Sequence, residues 1–298
     1  MRIQLLLNNI KTRVVILFII LLILGISLGF RKSGDSVVVY HQSQWNEYAP
    51  EIDKLVKVGQ VVKEEGAGLK HVHGGIASHH IPTTIPRLVE FYSRLKGIQS
   101  VRNFIIIGPD HTDAGRAPVT VSNANFFTIY GEIKPMHGLA EKLKDVKLAN
   151  IEEAPFDLEH SIGSQMLIIS KIFPDAKVTP IMLRSDTTKD HAKALGEMLV
   201  NVLDDETVLI ASVDFSHYLA TEQAMPVDQI SGEVIRNLDF EAIPLIKADS
   251  NRSVEVFMRA MNMKGAIDTG DFEILNTNDP LQNSDYTTGY VFGYWGIK

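Results

Sequence analysis

The sequence contains no cysteine among its 298 residues. This absence excludes disulfide bonds, a thiolate nucleophile and cysteine-based zinc or iron–sulfur sites. The sequence also lacks a basic run beyond the pair Arg31-Lys32, and its formal net charge is −7. Both features argue against nucleic acid as a partner. Hydrophobic residues make up 45% of the chain, which is ample for the core of one large domain.

The longest apolar run lies near the N-terminus, where Val14–Phe30 carries no charge and follows Lys11 and Arg13. Crossing the hydrocarbon core takes about 17–25 helical residues, so the run is just long enough. Basic residues before the run favour a cytoplasmic N-terminus and an extracytoplasmic C-terminal domain. We therefore expect a protein anchored in the membrane by one N-terminal helix. The alternative is secretion after signal cleavage, because Gly25–Gly29 contains two small-x-small triplets.

The chain divides into three predicted parts: an anchor at residues 1–32, a stalk and lead-in at 33–70, and one α/β domain at 71–298. In the third part, strand-like runs alternate with helix-like segments, which is typical of βαβ units. We therefore expect a mostly parallel sheet flanked by helices. The predicted strands are Asn103–Ile107, Lys177–Leu183, Thr207–Val213 and Tyr286–Trp295, and the predicted helices are Thr84–Leu95, Ser161–Phe173, His191–Leu203, Val227–Leu238 and Ser253–Met263.

Three histidines, His79, His111 and His217, each follow an apolar, strand-like run. In an open parallel sheet, ligands bind outside the carboxyl ends of the strands, so these remote imidazoles are expected to converge. Imidazole is the commonest protein metal ligand, and its unperturbed pKa lies near neutrality. The pattern therefore predicts a histidine-based site at one end of the sheet.

Carboxylates accompany these histidines at two places. Glu159 and His160 come just before a predicted helix, where they could add a carboxylate and an imidazole to the same site. The alternative is that this segment only caps the helix. Asp214 lies three residues before His217, a spacing that lets a carboxylate orient the imidazole or lets both face a ligand. The alternative there is a turn held by local hydrogen bonds between side chain and backbone.

Three segments resemble the signature motifs of the Memo-like proteins, namely Gly108–His111, Glu159–Ile162 and Ser212–Tyr218. These proteins are also called AmmeMemoRadiSam system protein B, and they are similar in fold to class III extradiol ring-cleaving dioxygenases. The resemblance covers the chain from His71 to the C-terminus. The family's first motif is usually Pro-His-Ala-Gly-Tyr, whereas Ser78–Ile81 keeps the histidine and loses Gly-Tyr.

The resemblance implies that His79 and His111 are metal ligands and that His217 is the acid/base histidine. The third ligand is a carboxylate in the dioxygenases and a cysteine in the best-known Memo proteins. The segment that we match to that position offers Asp279, with Asn278 as the fallback. Two histidines and a carboxylate would form the facial triad of non-haem iron oxygenases. Asn-Asp-Pro is also an ordinary turn.

Two functional classes follow from this interpretation. The first is a redox or dioxygenase-like enzyme that uses a divalent metal, expected to be Fe(II) with Cu or Zn as alternatives. In it, His217 moves the proton, and Asp214, Glu159 and His160 complete the site. The second is a catalytically inactive module that binds a small molecule, peptide or metal in the same pocket. Hydrolysis by a metal-bound hydroxide is a third and weaker option. The sequence identifies no substrate.

Overall fold

A computed structural model describes residues 37–39, 43–59, 68–157 and 159–298, with backbone only at residues 37–39, 43, 44, 59, 279 and 280. The strands are β1 (Val37–Val39), β2 (His71–Ala77), β3 (Asn103–Pro109), β4 (Val119–Val121), β5 (Asn125–Thr128), β6 (Gly131–Ile133), β7 (Asn150–Ile151), β8 (Lys177–Leu183), β9 (Thr207–Ser212), β10 (His217–Leu219), β11 (Asp268–Asn276) and β12 (Thr287–Ile297). The α-helices are α1 (Ser43–Asn46), α2 (Ala49–Gly59), α3 (Ile85–Ile98), α4 (Leu139–Asp145), α5 (His160–Ile172), α6 (Lys189–Leu199), α7 (Thr221–Arg236), α8 (Asn251–Lys264) and α9 (Asn278–Leu281).

The main sheet has a parallel centre and antiparallel flanks. Its strand order is β10-β12-β2-β9-β3-β8-β4-β7, and β11 pairs with β12. The pairs β2–β9, β9–β3 and β3–β8 are parallel, whereas β4–β8, β2–β12, β10–β12 and β11–β12 are antiparallel. The sheet is therefore mixed, and the prediction of a mostly parallel sheet was too simple. Three further strands, β1, β5 and β6, form a small separate sheet.

The central strands are apolar on both faces because helices cover the sheet from both sides. Along β3, Ile105 and Ile107 belong to one hydrophobic cluster, and Phe104 and Ile106 belong to the other. Helices α6 and α8 contribute to the first cluster, and α3 and α5 contribute to the second. Strands buried on both faces read as continuous hydrophobic runs rather than as alternating patterns. This is why the sequence marked the central strands so clearly.

Most predicted elements lie where the pattern placed them, and the differences have local causes. Lys177–Leu183 forms the strand as predicted. Helix α7 spans Thr221–Arg236 and contains Pro226, whereas the predicted helix began at Val227. Strand β11 was not predicted, because its half-exposed sequence Asp268–Asn276 contains Asp, Gly and Glu and lacks a long apolar run.

Helix α2 lies within the segment that the sequence assigned to a stalk. Its residue Ile52 is fully buried and belongs to the same hydrophobic cluster as Leu88 and Tyr92 of α3. This helix is therefore part of the α/β unit, which extends over Val37–Lys298. The predicted anchor at Val14–Phe30 lies outside the described residues. Within the described ranges, no helix is both long enough and apolar enough to span a membrane.

Candidate metal centre

The carboxyl ends of β2, β3 and β9 bring several predicted site residues together. Each of three site residues lies two positions beyond the end of a strand: His79 follows β2, His111 follows β3 and Asp214 follows β9. The rings of His79 and His111 meet edge to face, with their centroids 5.2 Å apart. His79 is almost fully buried, whereas the His111 side chain is 28% exposed. The site therefore opens to solvent on the His111 side.

Asp249 is the carboxylate that faces both imidazoles. Its Oδ2 lies 3.1 Å from Nε2 of His79 and 3.7 Å from Nε2 of His111. The backbone around it is fixed by Asp214, whose N–H donates to Oδ2 of Asp249 at 3.1 Å and whose carbonyl accepts from the Asp249 N–H at 3.0 Å. The sequence analysis missed Asp249. An aspartate just before the helix cap Ser250 looks like ordinary capping chemistry, so the sequence carried no signal that separates the two roles.

Glu159 connects the start of α5 to His111. As the N-cap residue, it accepts a hydrogen bond from the N–H of Ser161. Its carboxylate also accepts from the His111 N–H at 3.0 Å and lies 2.8 Å from His111 Nδ1. Burial acts to raise the pKa of Glu159, but its hydrogen bond with His111 and the charge of that ring outweigh burial and lower the pKa to about 2. The capping role and the site role predicted for this segment are thus carried by one side chain.

Neighbouring carboxylates raise the pKa values of His79 and His111. Burial acts to lower the pKa of His111, but hydrogen bonds with Asp249 and Glu159 raise it to about 10. For His79, burial again opposes the charge, and Asp214 and Asp249 together raise its pKa. The pKa of Asp249 is held well below its usual range, because the charge of His79 and hydrogen bonds from both rings outweigh its burial.

His160 stacks on His111, with ring centroids 4.2 Å apart and an interplanar angle of 24°. Burial, followed by the charges of His79 and His111, lowers the pKa of His160 to about 4. Ligand atoms of His79, His111 and His160 all lie within 4.8 Å of one another, and the same is true of His79, Asp214 and Asp249. The residues therefore offer more than one set of three donors around His79.

Asp214 does not orient His217, in contrast to the sequence-based interpretation. Its buried carboxylate accepts hydrogen bonds from Ser78 Oγ at 2.5 Å and from the His79 N–H at 3.1 Å. It also lies 3.7 Å from Nδ1 of His80. His217 begins β10 and is half-buried, and its charge helps to lower the pKa of His80, after burial and against the attraction of Asp214. His80 therefore interacts electrostatically with both Asp214 and His217.

The predicted third ligand, Asp279, lies in the short helix α9, and its side chain is outside the described part of the structure. The fallback, Asn278, donates its backbone N–H to Oδ1 of Asn276 at 2.8 Å. Among the described residues, no hydrogen bond joins Asn278 to His79, His111 or Asp249. The carboxylate that the structure does place beside the two histidines is Asp249.

A cavity of about 500 Å³ adjoins His111 and Asp249. This volume is in the usual range of small-molecule pockets, about 300–1,000 Å³. Its lining is mixed in charge and includes Asp110, Asp113, Arg184 and Arg252. Arg184 donates to the Gly115 carbonyl, and Arg252 donates to the Thr187 carbonyl, so both guanidinium groups are held at the cavity wall.

Comparison with known proteins gives the family of this chain. A family model described as Memo-like protein matches residues 74–275, which is more than half of the chain. The chain belongs to the Memo-like protein family. The Memo-like match includes His79, His111 and Asp249, and it ends before Asp279. The family assignment was therefore predicted correctly from the sequence.

Relatives of this Memo-like protein carry the same family description. A MEMO1 family protein of Pyrobaculum aerophilum is 26% identical over 88% of this chain and 94% of its own length. A MEMO1 family protein of Caldivirga maquilingensis is 32% identical over 46% of this chain, a match that spans only half of the relative's length. An uncharacterised protein of Escherichia coli K12 of known crystal structure aligns with a TM-score of 0.43 at 13% identity, covering 74% of this chain and 99% of its own.

Proposed function

We propose that this Memo-like protein binds a divalent metal ion through His79, His111 and Asp249 and uses it in a dioxygenase-like redox reaction. The observation that carries the proposal is the position of Asp249 Oδ2, which faces Nε2 of both histidines at 3.1 and 3.7 Å. In this structure, that carboxylate forms ion pairs with the two rings. The same three atoms would turn to a metal ion once the ring protons are lost.

The donor set fits a metal of the non-haem iron class. Two imidazole nitrogens and one carboxylate oxygen form the facial triad of Fe(II) oxygenases, which leaves coordination positions open for substrate and O₂. We therefore expect Fe(II), with Cu or Zn as alternatives, because imidazole also suits those metals. His160, which stacks on His111, is the residue that could replace Asp249 as the third donor.

The surrounding residues orient the proposed ligands. Glu159 holds Nδ1 of His111, which leaves Nε2 directed toward Asp249. Carboxylate partners of this kind fix the tautomer of a ligating histidine and its ring orientation. The Asp214 carboxylate accepts hydrogen bonds from the backbone N–H of His79 and from the hydroxyl of Ser78, so it fixes the loop that follows β2. Both carboxylates are buried, so little solvent competes for these hydrogen bonds.

The proposed proton-moving residue is His217. It lies at the start of β10, close enough to His80 for its charge to lower the pKa of that residue, together with burial. A half-buried imidazole can exchange protons with solvent and with a ligand that reaches it. The size of the cavity fits a small molecule as the substrate. If the pocket serves binding without turnover, the same residues would hold a ligand and His217 would have no kinetic role.

The decisive experiment is anaerobic purification followed by elemental analysis and reconstitution with Fe(II), Cu or Zn. We expect about one equivalent at this site in the wild-type protein and its loss in His79→Ala and His111→Ala. His137→Gln is the matched control, because His137 is exposed and lies outside the site. If the wild-type protein takes up none of the three metals, the enzyme proposal fails, and the inactive binding module becomes the better interpretation.

A further inference from the structure

A second group of metal-ligand side chains lies at the opposite end of β2. His71 and His73 are two residues apart on this strand, so their side chains project from the same face. Their ring centroids are 4.4 Å apart. Ligand atoms of His71, His73 and Asp205 all lie within 4.8 Å of one another. From His71 to Ala77 the strand extends about 20 Å, so this group is distinct from the site that contains His79.

The sheet register explains why Asp205 reaches the two histidines. Strand β2 pairs in parallel with β9, and Gly74 lies opposite Leu209. Counting back along both strands places His71 beside the turn that contains Asp205. Oδ1 of Asp205 lies 4.0 Å from Nε2 of His71, and the Asp205 side chain is 92% exposed. The carboxylate can therefore rotate toward the histidines without disturbing any buried contact.

The turn itself is held by the neighbouring aspartate. Oδ1 of Asp204 accepts hydrogen bonds from the Glu206 N–H at 3.0 Å and from the Thr207 hydroxyl at 2.6 Å. Such hydrogen bonds are usual in turns, and here Asp204 accepts them rather than Asp205. The two adjacent carboxylates thus have different surroundings, which makes them a matched pair for mutagenesis.

Two buried ring nitrogens in this group lack hydrogen-bond partners among the described residues. They are Nδ1 of His73 and Nε2 of His71. The residue His73 is only 2% exposed, so water has little access to satisfy its ring. Buried polar groups are nearly always hydrogen-bonded, and an exception calls for an explanation such as a bound ion. An unpartnered imidazole nitrogen beside a second imidazole and a carboxylate matches a metal-ligand set.

We propose that His71, His73 and Asp205 form a second metal site, which takes a zinc-class divalent ion on two imidazole nitrogens and one carboxylate oxygen. Three protein ligands leave the fourth tetrahedral position for water. The Lys264 ammonium, held on the Leu203 carbonyl at 2.6 Å, opposes the cation, and the Asp205 carboxylate offsets that charge.

The test counts Zn²⁺ bound per full-length chain by equilibrium dialysis, in the wild type and in His71→Gln, His73→Gln and Asp205→Asn. His71→Gln and His73→Gln should each lose one equivalent, whatever number the wild-type protein binds. Asp205→Asn should lower the Zn²⁺ affinity of this site by at least about 10-fold, because even residues that only support a ligand contribute about 10–100-fold. His137→Gln should bind as the wild type does. With Co²⁺, the lost equivalent should carry the visible absorption of a tetrahedral site.

The same measurements in a His79→Ala/His111→Ala background separate this site from the proposed first one. If the His79→Ala/His111→Ala variant retains one equivalent of Zn²⁺ and loses it when His71→Gln is added, the second site is supported. This holds even if the first site binds no metal. An unchanged Zn²⁺ stoichiometry in His71→Gln would overturn the proposal. His71 and Asp205 are partly or largely exposed, so their variants should fold. Far-UV circular dichroism checks the fold of each variant, including His73→Gln at a buried position.

Discussion

Oδ2 of Asp249 lies 3.1 Å from Nε2 of His79, although the two residues are far apart in the sequence. Two hydrogen bonds support the contact and join the loop before α8 to the end of β9: the Asp249 N–H donates to the Asp214 carbonyl, and the Asp214 N–H donates to the Asp249 carboxylate. His79 in turn follows β2, the neighbour of β9 in the sheet. Three separate chain segments therefore fix one carboxylate against one imidazole.

This relationship predicts that Asp249, rather than Asp279, supplies the third metal ligand. Asp249→Asn should reduce metal affinity by more than about 100-fold, because loss of a direct ligand exceeds the 10–100-fold effect of a supporting residue. Asp279→Asn should leave affinity within a few-fold of the wild type. Metal titration of both variants, with circular dichroism to check folding, makes the comparison. The reverse order of effects would restore Asp279 as the ligand.

Metal binding should release protons at pH near 7. Burial opposes the charge of His111, but hydrogen bonds with Asp249 and Glu159 raise its pKa to about 10, so the metal-free ring is protonated at neutral pH. A metal takes the neutral ring, and its affinity should therefore increase as pH rises toward 10. Calorimetric titration in two buffers of different ionisation enthalpy measures the proton release.

Glu159→Gln provides the control for this proton release. The substitution removes the carboxylate next to His111 Nδ1, which lies 2.8 Å away in the wild type. The pKa of His111 should fall in the variant, and fewer protons should be released on metal binding. A binding enthalpy that does not depend on the buffer, in the wild type at neutral pH, would contradict the proposed participation of His111.

His217→Gln should separate metal binding from proton transfer. His217 is in none of the candidate ligand groups among the described residues and makes no hydrogen bond to Asp214 there, so its loss should leave metal content unchanged. Turnover should fall by about 10²–10⁴-fold, the range expected for a positioned general acid or base. Oxygen uptake with a panel of small aromatic diols is the assay, with the exposed neighbour substitution Tyr218→Phe as the control. Loss of the metal in His217→Gln would instead make His217 a ligand.

The helix Ala49–Gly59 should contribute to the stability of the α/β unit. Ile52 is fully buried, so Ile52→Ala should lower the free energy of unfolding by about 2–5 kcal/mol. Val58 on the same helix is 58% exposed, and Val58→Ala should change stability by no more than about 0.5 kcal/mol. Denaturant unfolding of a chain that lacks residues 1–32 measures both. Equal effects would return this helix to the predicted stalk.

The apolar run Val14–Phe30 should retain the full-length chain in the membrane. Its length is at the lower end of what spans the hydrocarbon core, and its small-x-small triplets are poor cleavage sites. We expect the protein to remain with membranes after an alkaline carbonate wash. A shortened protein in the soluble fraction, with a new N-terminus near Leu28 or Phe30, would identify a cleaved signal peptide and favour secretion.

The sequence by itself determined the family, the central strands and the positions of His79 and His111 at strand ends. Each of these depends on a local pattern, either a continuous apolar run buried on both faces or a short motif at the end of such a run. Hydrophobic runs such as Phe104–Ile107 specify a strand wherever the rest of the chain lies.

Only the tertiary structure decided which carboxylate faces the two histidines. In the sequence, Asp249 looks like a residue before a helix cap, and its position beside the two histidines depends on how α8 packs against the sheet. The same holds for Asp214, whose partners are Ser78 and His79 rather than His217. Contacts between remote loops arise from the packing of whole helices and strands. Hydrophobic periodicity predicts those elements, but it does not predict which loop residues come into contact.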